Sequence, residues 1–167
     1  WNMSIPEYEE GDAIMAVHNL GNVMPLSGVE CPVIEDSCET LLGKSKQSHS
    51  LCSSLSFFGN KNMTSGEGGA VLTDDEDIFR YVYKLKGQGQ TQTRYIHDQL
   101  GYNYRMTNVQ AALLLGQLEE LEIIQAYKKS LFIKYNNRFK DNSNIIPQKT
   151  TYGHPNWMYA VRILGSK

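Results

Sequence analysis

The sequence predicts an α/β fold built on a mostly parallel sheet covered by helices. Four short apolar runs fall within the first 72 residues: AIMAV at 13–17, PVI at 32–34, SLSFF at 54–58 and GAVL at 69–72. They show little polar alternation, as strands buried on both faces do. Helical periods follow them, which places helices beside a sheet rather than in a bundle. With 41% apolar and 20% charged residues over 167 positions, the chain can build a compact core.

Each element has a local cause. The first run ends at His18-Asn19 and Gly21, and the second is entered through Pro32 and closed by Glu35-Asp36-Ser37. The connections between runs are short, so some strands pair through other segments or run antiparallel. Thr73 reads as a helix cap, with Asp74, Asp75 and Glu76 in a first turn that favours acids. Ile78, Tyr81, Val82 and Leu85 recur at near-helical spacing up to Gly87. Residues 87–105 carry glycines, amides and tyrosines without a helical period, and read as a loop. Thr107 or Asn108 then caps the longest helix, whose apolar face runs through Val109, Ala112, Leu113, Gly116, Leu118, Leu121 and Ile124 and continues, with a break, to Phe139. Residues 141–152 read as a polar link into a second region. A further strand is expected at 157–161, WMYAV.

Composition excludes several classes. Sixteen Lys and Arg stand against 18 Asp and Glu, a net charge of −2 with no dominant basic patch, so nucleic acid is not the expected partner. The longest uncharged apolar run is too short to span a bilayer. Cys31, Cys38 and Cys52 form no CxxC pair and no zinc spacing, which fits reduced thiols in the cytoplasm and no metal site. His18, His49, His97 and His154 are scattered, and read as solvated or hydrogen-bonded. The chain opens at Trp1 without a basic flank or cleavage site, and reads as an internal piece of a longer protein.

Two positions invite a chemical reading. Asp36 closes an apolar strand, and ligands of open α/β sheets bind beyond strand ends. Lys61 stands alone between Lys46 and Arg80, in SFFGNKNMTSGEGG. The glycines after it permit close backbone approach to a ligand. Neither Gly66-Glu67-Gly68-Gly69 nor Gly87-Gln88-Gly89 makes a nucleotide-phosphate loop. Taken singly, Asp36 also reads as a turn cap and Lys61 as a solvated charge. A lysine together with a carboxylate is what chemistry with pyridoxal 5'-phosphate (PLP) needs: an amine that forms a Schiff base, and an anion that keeps the ring nitrogen protonated. The spacing of the two residues does not choose between these readings.

The ordered series PVIEDSCETLLGKSK, LCSSLSFFGNKNMTSGEGGAVLTDD, LKGQGQ and YIHDQLGYNYRMTNVQAALLLGQLEEL resembles the DegT/StrS family of PLP-dependent sugar aminotransferases over residues 13–140. The resemblance implies the fold type I architecture of PLP-dependent transferases. Members are more than twice this length. Residues 1–140 are then the later part of the PLP-binding large domain with its long exit helix, and 141–167 the start of a small C-terminal domain. It further implies that Lys61 forms the Schiff base, Asp36 pairs with the pyridine nitrogen, Glu39 lies near the ring oxygen and Ser56 binds the cofactor phosphate. Asn103 would reach the phosphate of a neighbouring subunit, making a homodimer with shared sites. Glu67 and Arg105 fall beside these motif positions.

The implied reaction moves an amino group from L-glutamate to a keto group of a nucleotide-linked deoxysugar, with FFGNK resembling enzymes that aminate C4. Ser37-Cys38 departs from the alanine-rich residues usual after the acid, and Asn62-Met63-Thr64-Ser65 varies a threonine-rich turn. The family's phosphate loop and ring-stacking aromatic lie upstream of Trp1, so the piece alone is expected to be inactive. A non-catalytic or truncated regulatory relative of the same fold is the alternative.

Overall fold

The computed structural model describes residues 3–44, 46–47 and 49–165. A four-stranded sheet ordered β1-β2-β3-β4 forms its centre. The strands are β1 Ile14–Val17, β2 Val33–Asp36, β3 Cys52–Ser56 and β4 Gly69–Leu72. The first three are parallel, with Val17 opposite Asp36 and Asp36 opposite Ser54. β4 is antiparallel to β3, Ser56 standing opposite Gly69.

The reversal comes from the segment between them. Phe57 N–H donates to the Gly68 carbonyl and Ser65 N–H to the Phe57 carbonyl, so the chain doubles back instead of crossing over. Glycine is required here twice. Gly68 has φ +133°, and a Cβ on Gly69 would stand 2.6 Å from the Leu55 carbonyl oxygen. β3 therefore begins two residues before the apolar run at 54–58, and Phe57 and Phe58 belong to the turn.

Helices on both faces are not what this chain shows. Burial alternates along β1 and β2. Ile14, Ala16 and Val33 meet Met24 and Leu26 in one core, with Tyr8, Val29 and Cys31 packed against it. The other face carries Met15, 61% exposed, Ile34 and Val71. Strands apolar on both sides thus have one covered face here, and neither α1 Glu76–Lys86 nor α2 Asn108–Glu119 contributes a buried residue.

The covered face also holds charge. Glu35 is fully buried, and its carboxylate accepts from His18 Nε2 at 2.7 Å, Gln47 N–H at 2.7 Å and Gln47 Nε2 at 3.2 Å. His18 Nδ1 accepts from Met24 N–H, which puts the imidazole hydrogen on Nε2, toward Glu35. Burial alone would push the Glu35 carboxyl up; these donors outweigh it and hold it at about 2.

Asp75, not Thr73, caps α1, accepting from the Asp77 and Ile78 N–H groups. Thr73 instead donates its hydroxyl to the Leu51 carbonyl and accepts from Asp75 N–H, so it ties the strand to the cap. Thr107 caps α2 in a reciprocal box with Gln110. The break falls at Glu120, and α3 Leu121–Phe139 continues. The loop between α1 and α2 is non-helical and anchored: Tyr102 N–H donates to Leu85 and Tyr104 N–H to Lys86.

Beyond α3, the link expected at 141–152 contains a strand. β5 Ile145–Pro147 pairs antiparallel with β6 Val161–Ile163. The strand expected at 157–161 is displaced to Val161–Ile163 because Trp157 and its neighbours are held by the central sheet's loops. No described helix is long and apolar enough to cross a membrane.

Candidate active site

The site residues gather at the carboxyl ends of β2 and β3. Asp36 is the last residue of β2, opposite Ser54 of β3, and Ser56 lies two residues on. Strand periodicity puts Asp36, Ser54 and Ser56 on one face, the open one. Asp36 Oδ1 accepts from Cys38 N–H at 3.1 Å and from the Ser54 hydroxyl at 3.5 Å. Oδ1 is thus held by the protein at the end of the strand.

Lys61 enters by the turn after β3, where its N–H donates to the Phe58 carbonyl. Its Nζ lies 4.1 Å from the centre of the Trp157 ring. Burial and then the Asp36 carboxylate push the Cys38 thiol up, while a hydrogen bond with Ser54 and the charge of Lys61 pull it down. The Ser56 hydroxyl accepts from Phe58 N–H at 3.2 Å, closing the strand end.

Glu39 and Asn103 stand apart from this cluster. Glu39 Oε2 accepts from Leu20 N–H at 2.6 Å, so its carboxylate braces the loop after β1. Asn103 is exposed in the α1–α2 loop, forms a bridge to Gly87 and accepts from Arg105 Nε at 3.3 Å. No described contact joins it to Lys61, Asp36 or Ser56.

Residues 151–157 add what sequence reading missed. Trp157 Nε1 donates to the Asn60 carbonyl at 2.8 Å, and Asn62 Nδ2 donates to Pro155 at 3.0 Å. His154 Nδ1 accepts from Asn156 N–H, which leaves its Nε2–H to donate to the Leu20 carbonyl at 2.9 Å. Burial presses this imidazole toward neutrality, against those two bonds. These partners lie over 90 residues away in sequence, so no local pattern announces them.

A carboxylate and a serine hydroxyl at adjoining strand ends, with a lysine amine on the turn that follows, suit a ligand with a protonated ring nitrogen, a carbonyl and an anionic group. That donor set fits PLP. Comparison with solved structures gives the fold. Helicobacter pylori PseC, an aminotransferase involved in the biosynthesis of pseudoaminic acid, matches with a TM-score of 0.80 at 23% identity, over 90% of this chain and 45% of that one. The fold is a part of the fold type I architecture of PLP-dependent aminotransferases. The chain belongs to the DegT/DnrJ/EryC1/StrS aminotransferase family, whose model matches residues 6–167.

Among curated relatives, the GDP-perosamine synthase of Caulobacter vibrioides is 36% identical over 166 residues, 90% of this chain and 45% of the relative. That of Escherichia coli O157:H7 is 33% identical, covering 96% and 49%. The chain spans about half the length of the curated relatives it matches.

Proposed function

We propose that the family-length protein is a PLP-dependent aminotransferase that moves an amino group from L-glutamate to C4 of a nucleotide-linked 4-keto-6-deoxysugar. The observation that carries this reading is the placement of Asp36 at the end of β2, opposite Ser54, and of Lys61 on the turn that follows β3, in a chain of this family. The relatives named GDP-perosamine synthase favour a GDP-linked substrate. Three free cysteines suit a reducing compartment, the cytoplasm.

The chemistry supplied by PLP, when bound, is a carbonyl that takes up the amino group and a ring that draws electrons from the bond being broken. The Asp36 carboxylate, held at Oδ1 by Cys38 N–H and the Ser54 hydroxyl, would pair with the protonated ring nitrogen. Ser56 offers its hydroxyl to a phosphate at the end of β3. Lys61 Nζ, on a turn pinned to Phe58, would form the covalent link to the cofactor and, once released from it, would carry the proton. Glu39 shapes the rim beside the ring oxygen through the loop it braces.

Residues 1–140 serve as the later part of the large domain and 141–167 as the start of the small one. The separate β5–β6 sheet after α3 supports that division. The open sheet face and the exposed apolar sides of α1 and α2 are surfaces for the rest of a family-length chain and for a second subunit. Asn103, exposed and remote from the cluster, is assigned to the partner's cofactor phosphate in a homodimer.

The test is direct. Full-length protein with PLP, L-glutamate and GDP-4-keto-6-deoxymannose yields an amino sugar, resolved by chromatography. Lys61→Ala and Lys61→Arg abolish that product without unfolding the protein, because neither side chain offers a primary amine. Product formation near the wild-type rate by Lys61→Ala would remove the proposal.

A further inference from the structure

Residues 151–157 leave α3's side of the molecule and cross the loops that carry the site. Thr151 N–H donates to Asn22 Oδ1, and Val23 N–H donates to the Thr151 hydroxyl. Lys44 N–H donates to the Gly153 carbonyl. His154 reaches Leu20, and Pro155 receives Asn62. Each loop after β1, β2 and β3 is therefore bonded to the same seven-residue segment. The fit is close: a Cβ on Gly43 would stand well inside contact distance of the Gly153 carbonyl, and one on Gly21 would meet Pro155 at 2.9 Å.

This strap delivers one large side chain to the reacting amine. Trp157 is 9% exposed, and its Nε1–H bond to Asn60 fixes the rotation of the indole. Asn60 immediately precedes Lys61, so one turn sets both the ring and the amine. The amine then sits over the ring at 4.1 Å from its centre. A protonated amine is attracted to the face of an indole, and a neutral amine is not.

We propose that Trp157 is a positioning residue for Lys61, its indole face seating the protonated amine whenever Nζ is not covalently engaged. The proposal rests on Lys61 being the reacting amine. The ring keeps Nζ on the turn that follows β3 and limits the positions open to the amine. Placing this residue on the strap makes the region after α3 a contributor to the chemical centre and not only a cover for it.

The experiment uses full-length protein freed of cofactor, with acetic anhydride as the amine probe and mass spectrometry as the readout. The acetylation rate of Lys61 is measured against exposed Lys149 at a fixed pH. Trp157→Leu is expected to raise the Lys61 rate about two- to fivefold, the effect of losing a cation–ring contact. Trp157→Phe, which keeps a ring, falls between Leu and wild type, and the Lys149 rate does not move. Equal rates in all three proteins would overturn the proposal. So would an equal rise in Leu and Phe, because packing alone would then explain the residue.

In the loaded enzyme Trp157→Phe lowers kcat with KM for the nucleotide-sugar unchanged, and an unchanged kcat would also count against it. The labelling result does not depend on turnover. If Lys61→Ala still aminates sugar while labelling follows the Trp, Phe, Leu order, the functional reading fails and the ring–amine contact stands.

Discussion

Glu35→Gln is the most informative single change on the covered side of the sheet. In the folded protein the Glu35 carboxyl is lowered from 4.5 to about 2 by His18 and Gln47, against a desolvation that pushes it the other way. The folded group therefore binds its proton later than the unfolded one, and stability from this group is complete above pH 4.5. It is lost as pH falls through the window from 4.5 to about 2. At about 1.4 kcal/mol per pH unit, the depression is worth about 3 kcal/mol. Glutamine keeps the shape but turns an NH₂ toward a cluster of donors, and it does not titrate.

Chemical unfolding of full-length wild type and Glu35→Gln, followed by circular dichroism from pH 7 to pH 3, measures the difference directly. The variant should be less stable by about 3 kcal/mol at pH 7, and the gap should narrow steadily below pH 4.5. Parallel acid slopes for the two proteins would show that Glu35 is not held ionised by His18 and Gln47.

Other outcomes follow from the open face. Asp36→Asn should retain PLP, read from its absorbance after gel filtration, yet lose most of the amination rate, since an amide does not hold a ring proton; wild-type turnover would reduce Asp36 to a turn cap. Mixing inactive Lys61→Ala with weakened Asn103→Ala under subunit exchange should restore part of the activity, because one site of the mixed dimer carries neither lesion; no gain would mean that Asn103 serves its own subunit or none. Thr107→Ala removes the capping box of α2 and should cost about 1 kcal/mol, seen as a lower Tm with the amination rate unchanged.

The strands and helices were legible because their causes are local. Apolar runs marked β1, β2 and β4 to within two residues, and the pair Thr107-Asn108 marked the start of α2. The errors lie where a distant partner decides. Thr73 looks like a cap, but the Leu51 carbonyl claims its hydroxyl and leaves the helix to Asp75. Trp157 looks like a strand residue, but Asn60 holds its indole and the strand starts at Val161. Ile145–Pro147 is too short to show a period and forms only because Val161–Ile163 returns beside it.

The two acids at the end of β2 show why sequence alone left Asp36 ambiguous. Glu35 and Asp36 are adjacent carboxylates on one apolar strand, and alternation sends them to opposite faces. Glu35 is buried, with donors on both oxygens, and fixes the strand against His18 and Gln47. Asp36 lies on the open face, where Cys38 N–H and the Ser54 hydroxyl donate to Oδ1. Nothing in the residue order distinguishes a buried carboxylate from one on the open face. The distinction comes from Gln47, His18, Cys38 and Ser54, which only the folded chain brings together. An acid at a strand end on the open face is available to a ligand, and rigid support from the acid beside it keeps it in place. The strand thus sets a buried structural anion beside an open-face one in consecutive residues, and changing Glu35 should loosen the position of Asp36.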